Sequence, residues 1–241
     1  MALSTVASAT DALVYPERDG KPMGETDVHI DAVIYLREAL KYHFRTAPQI
    51  YVAGNLLLYY EEHNPAVSIA PDVMVVHGVP KHERRTYKLW EEGQPPSVVF
   101  EVTSRSSRVE DVGTKRAIYA MLGVQEYFIY DPFGEYLRPP LQGYRLEGDD
   151  YQHLAPTGVG QLTSHRLGLD LRLEAGRLRL VDATTGERLF THEEAQNARQ
   201  QAEARIAQAE ARAAQEAAAR QAAEAELQRL RALLDSQQRE G

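Results

Sequence analysis

Residues 97–102 read SVVFEV, a single carboxylate set inside an apolar, β-branched run. The run predicts a buried strand. Strands buried on both faces are usually wholly apolar, so Glu101 is out of place unless something holds its charge. Upstream, residues 66–76 read AVSIAPDVMVV and carry a second lone carboxylate, Asp72, 29 residues before Glu101. Two carboxylates on neighbouring strands can jointly hold a hard cation, since Mg2+ takes a few carboxylates plus waters. A cation so placed lowers the pKa of water and offsets charge on a phosphodiester. Each residue also has an ordinary explanation. Asp72 could cap a turn after Pro71, and Glu101 could pair with an arginine.

Working outward, Asp111 is expected to cap a helix running to Leu122 and ended by Gly123. Lys115, Tyr119 and Leu122 share one face of it. This helix follows the Glu101 strand through the loop Thr103 to Glu110, which brings its first turn toward the carboxylates. There Lys115 could orient a water or neutralise phosphate charge; the alternative is a solvated surface lysine. Residues 125–130, QEYFIY, predict a further strand, stopped by Asp131-Pro132. On the other side, Val33, Leu36, Leu40 and Phe44 recur at helical spacing, predicting a helix from about His29 to His43 with Asp27 as its N-cap. Short β-rich runs follow at 50–52, 56–60 and 66–76, and several short strands with Gly-rich turns lie between Gly134 and Val181. The order helix, strands, helix, strands gives a mixed α/β (α+β) domain.

The chain has 241 residues and is 43% hydrophobic, enough for one domain with a core and an appendage. There is no cysteine, which excludes disulfides, thiolate metal sites and cysteine nucleophiles. Residues 1–20 read as a flexible lead-in without the basic start and apolar run of a signal peptide. No stretch is apolar enough to span a membrane, and a cytoplasmic location is expected. The net charge of −8 argues against general nucleic-acid glue, although affinity depends on local clusters. Composition changes near Thr191, dividing a domain at 21–190 from a tail at 191–241 rich in Ala, Glu, Gln and Arg. Ala198, Ala202, Ile206, Ala209, Ala213 and Ala217 follow steps of three and four, and Leu227, Leu230 and Leu234 close the stripe. This spacing suits a nearly straight coiled coil joining two chains, against a lone solvated helix.

Together PDVMVV, VVFEVTSRSS and DVGTKRAIYAMLGVQEYFIYDP resemble a bacterial restriction endonuclease family within the PD-(D/E)XK nuclease superfamily. A Pro-Asp strand, a Glu-Val-x-Ser strand, an Asp-x-x-x-Lys helix and a Gly-Val-x-Glu-Tyr strand ending in Asp-Pro recur there in this order. His29 matches a recurrent histidine. The resemblance covers about Gly20 to Val181. It implies a central mixed sheet flanked by helices, with Asp72 and Glu101 as metal ligands and Lys115 as the lysine. The superfamily places its lysine two residues after the glutamate, where this chain has Thr103; the resemblance implies that Lys115 replaces it.

Nucleic-acid contacts are expected from the basic loop containing Lys81, Arg84, Arg85 and Lys88, and from Arg105 and Arg108 beside the Glu101 strand, groups that suit phosphate oxygens. Tyr87 and Trp90 could stack on bases or simply pack. The sequence is thus read as an endonuclease that uses Mg2+ (or Mn2+) to hydrolyse DNA, duplex or single-stranded, and forms a homo-oligomer through its tail. The rivals are a non-cleaving nucleic-acid-binding protein on the same fold and an oligomeric scaffold.

Overall fold

The computed structural model describes residues 14–18, 25–157 and 160–240, with side chains to 231. The chain divides into two units, 1–191 and 192–241. Helix α1 spans Asp27–His43. Its N-cap is Thr26 rather than the expected Asp27: the Thr26 hydroxyl accepts from His29 N at 3.3 Å. A shorter β-hydroxyl in extended backbone does the capping, while Asp27 adds charge to the first turn. Val33, Leu36, Ala39 and Leu40 form its buried face.

The main sheet has six strands: β1 (Ile50–Gly54), β4 (Val73–His77), β6 (Val98–Val102), β7 (Glu126–Tyr130), β8 (Leu141–Glu147) and β9 (Asp150–His153), adjacent in that order. The pair β6/β7 is parallel and the other pairs are antiparallel, so the sheet is mixed as expected. The expected strand 66–76 is broken at Pro71. Its first part is β3 (Ser68–Ile69), which joins β2 (Leu58–Tyr59) and β5 (Tyr87–Lys88) in a small separate sheet. Proline cannot donate to a ladder, which is why the chain changes sheets there. A short α2 (Leu89–Glu92) follows β5. A meander of β10 (Leu162–Ser164), β11 (Leu169–Glu174) and β12 (Arg177–Asp182) completes the first unit.

Two hydrophobic clusters cover the faces of the main sheet. One combines α1 with Val52, Val73, Val75, Phe100 and Phe128 and leucines of the meander. The other combines Met74, Val76, Val99, Tyr127 and Ile129 with Tyr119. The crossover from β6 to β7 opens as a π-helical turn, Glu110–Lys115, and continues as α3, Arg116–Met121. Asp111 therefore lies inside helical backbone, 1% exposed, and does not cap a helix. Of the lead-in segment, Val14–Arg18 are described: Tyr15 packs edge-on against Tyr59, and Pro16 O accepts from the Tyr59 hydroxyl. The rest of 1–20 lies outside the described residues.

The second unit is one helix, α4 (His192–Glu240). Ile206, Leu227 and Leu230 are about half exposed along it. Arg199–Glu203 and Arg220–Glu224 pair one turn apart on its surface. Leu234 lies outside the residues with described side chains. Among the described residues no helix is long and apolar enough to cross a membrane.

Candidate metal and catalytic site

In the antiparallel pair β4/β6, Val73 stands opposite Phe100. One further step in this register sets Asp72 opposite Glu101 at the open end of the ladder. Directly opposed residues of an antiparallel pair project to the same face. The backbone closes the arrangement, since Val102 N donates to Asp72 Oδ2 at 2.7 Å.

Glu101 is 1% exposed and both its oxygens are engaged. Lys115 Nζ donates to Oε2 at 2.8 Å, and the Tyr119 hydroxyl donates to Oε1 at 2.5 Å. Lys115 also lies 3.0 Å from Asp111 Oδ1. The crossover helix thus delivers its lysine to the end of β6, and a π-helical turn, common at functional sites, is what delivers it. Thr103 is buried there, and its Oγ1 has no hydrogen-bond partner. Its backbone holds the sheet together through Thr103 N to Tyr130 O.

The α1 start contributes from the other side. His29 Nε2 is 3.7 Å from Asp72 Oδ2 and 3.4 Å from Glu25 Oε2. Neither contact is a directed hydrogen bond. Glu25, His29 and Asp72 each offer one donor atom, all within 4.8 Å of one another, a spacing that could hold a metal ion. Asp111 likewise has no directed hydrogen bond on either carboxylate oxygen.

The electrostatics follow from this crowding. Burial pushes the Glu101 carboxyl well above the usual range; Lys115 pulls it down, and Asp72 and Asp111 push it up again. Burial acts to lower Lys115, but Glu101, Asp111 and Asp72 outweigh it and hold the ammonium charged. His29 is raised because Asp72, Glu25 and Asp111 outweigh its burial. Burial and then Glu101 push the Tyr119 phenol far up, which keeps it a donor. Asp72, Glu101 and Asp111 crowd one buried end of the sheet around a single lysine. This crowding of carboxyl groups, with buried atoms of His29 and Asp111 that have no directed hydrogen bond, is a donor set that fits a divalent cation.

Asp72, Glu101, Lys115, Thr103 and His29 all meet here. Sequence reasoning missed Asp111 and Glu25. The signal available for both was a spacing of four, Asp111–Lys115 and Glu25–His29.

The basic candidates are placed differently. Arg84 is bound bidentately by Glu92 at 2.6 and 2.8 Å, lies over the Tyr51 ring, and its side chain is 2% exposed. It cross-links the fold. Arg85 pairs with Glu17, Lys88 with Glu91, and Lys81 donates to Phe44 O. Arg105 and Arg108 are exposed beside the end of β6. Tyr87 is fully buried with its hydroxyl on Gln94 O, and Trp90 packs against Tyr15, so both are packing residues.

The model of the Uma2 family, described as putative restriction endonuclease, matches residues 18–176. Among solved structures, the chain is similar to a putative nuclease belonging to DUF820 from Anabaena variabilis ATCC 29413. The two are 14% identical over 61% of this chain and 76% of that one, with a TM-score of 0.45. No curated protein matches.

Proposed function

The chain belongs to the Uma2 family, and from that premise we propose that it is a metal-dependent endonuclease hydrolysing DNA phosphodiester bonds. The observation that carries this reading is the register that sets Asp72 opposite Glu101, with Lys115 brought to 2.8 Å from the crossover helix. Asp72 and Glu101 would hold Mg2+ or Mn2+, with Asp111 adding a further carboxyl group and Glu25 and His29 further donor atoms beside Asp72. When bound, the cation lowers the pKa of water and offsets charge on the scissile phosphate.

The remaining work falls to side chains. Val102 N fixes the Asp72 carboxylate, and the Tyr119 hydroxyl fixes the rotamer of Glu101. Lys115 presents a point charge on a flexible stem, suited to a non-bridging phosphate oxygen as charge builds up. It takes the part that a lysine at position 103 would play. The α4 stripe is proposed to join two copies, because a helix this long gains little stability without a packed face. Truncation after Phe190 should leave the first unit folded and lower its oligomeric state in light scattering. An unchanged state would remove the coiled coil.

The deciding assay is supercoiled DNA with and without Mg2+ or Mn2+, beside Glu101→Gln. Nicking should require the metal and fall about a hundredfold or more in the variant. If the parent cleaves neither duplex nor single strands with any divalent ion, the non-cleaving binding protein replaces this reading.

A further inference from the structure

A groove of about 590 Å³ runs along β1, the end strand of the main sheet, with α1 as one wall and residues 81–84 as the other. Five of its lining residues are cations, Arg37, Lys41, Arg45, Lys81 and Arg84, against one carboxylate, Glu83. That balance reverses the net −8 of the chain. Arg84 is already neutralised by Glu92, and Arg37 shares one nitrogen with Glu38. Lys41 and Arg45 are exposed, and Lys81 is held to the carbonyl that ends α1.

Arg37 and Lys41 stand four residues apart on α1, a rise of about 6 Å, and Arg45 follows four residues on, just past the end of the helix. Like charges at this spacing repel. The helix dipole accounts for Lys41 in the last turn but not for Arg37 further in. A row of this kind is stable when an anion with repeated charges lies along it.

The groove has a direction. Its Gly54 end borders the catalytic end of the sheet, since Gly54 stands opposite Val73 and Asn55 N bonds to the carbonyls of Pro71 and Asp72. A Cβ on Gly54 would come within 2.9 Å of the Arg37 side chain and 3.2 Å of Asp72 O. The residue before Val73 is Asp72 itself. We infer that this groove seats the phosphate backbone of the nucleic-acid substrate as it leads to Asp72, with Arg37, Lys41 and Arg45 contacting successive phosphates. The inference rests on the nuclease reading. The favoured occupant is nucleic acid and not an acidic peptide, because the row of cations ends at the carboxylate site.

The test is binding of a labelled oligonucleotide to the full chain carrying Glu101→Gln, with Ca2+ present. In that background Arg37→Gln, Lys41→Gln and Arg45→Gln together should weaken binding at least about tenfold. The slope of log affinity against log salt should flatten by about two to three. Arg205→Gln with Arg212→Gln on α4 should change neither, and with Glu101 restored the triple variant should titrate Mn2+ as the parent does. An unchanged slope in the triple variant overturns the groove and leaves the nicking assay to judge the nuclease reading. Absence of oligonucleotide binding in the starting protein overturns it as well. Equal binding of poly-glutamate, lost with the same three changes, overturns it in favour of an acidic protein partner.

Discussion

Two glutamates stand on neighbouring parallel strands, each 1% exposed, and their surroundings differ in kind. Glu126, at the start of β7, is saturated by donors. Ser164 Oγ, His165 N, Arg166 N and the Arg145 guanidinium all point at its carboxylate. Glu101, at the far end of β6, shares its lysine with Asp111 and lies beside Asp72. At one end of the sheet the carboxylate is met by donors on every side; at the other, carboxyl groups crowd one another around a shared lysine. Burial alone therefore does not single out a candidate site carboxylate; neighbours crowded with further carboxyl groups do.

Glu126→Ala should have the largest effect on folding, because it leaves buried donors facing nothing. A loss of about 3–5 kcal/mol is expected in urea unfolding. The loss should be the same in EDTA and in Mn2+. A metal-dependent loss would mean that the two ends are not distinct. Lys115→Met should cost somewhat less, about 3 kcal/mol in EDTA, since it removes the ammonium that Glu101 and Asp111 share. Here Mn2+ should restore part of the stability, while cleavage stays about a hundredfold down. If Mn2+ restores nothing, the crowded carboxyl groups are not a cation site. Arg145→Met should cost least, about 1 kcal/mol, because Glu126 keeps its hydroxyl and backbone donors. A cost equal to that of Glu126→Ala would show that the ion pair, and not the donor set, stabilises that end.

This contrast also shows where the sequence was readable. SVVFEV and QEYFIY both look like buried strands with one carboxylate, and both are. Nothing in those two strings says which glutamate is saturated by donors, because Ser164 and Arg145 reach Glu126 from strands far along the chain. The order of elements and the helix delivering Lys115 were legible because periodicity and breakers are local, whereas the mixed sheet was implied by the family resemblance. The Thr26 cap was not legible, since Thr26 and Asp27 are both residue types that cap helices, and the buried Asp111 was not, since a π-helical turn has no periodic signature. The basic loop was legible as charge, but Glu92 binding Arg84 was not.

The opposed placement of Asp72 and Glu101 bears on how this chain tolerates change in length. The segment between β4 and β6 can grow or shrink without disturbing the pair, because the ladder and not the loop sets their alignment. A single residue inserted within β4 or β6 is another matter. It would rotate everything beyond it by half a strand period, turning one carboxylate to the opposite face while the hydrophobic pattern fell out of phase with the cores. Length variation among related chains should therefore collect in the exposed stretches between residues 78 and 97, outside β5 and α2, and be absent from 73–77 and 98–102.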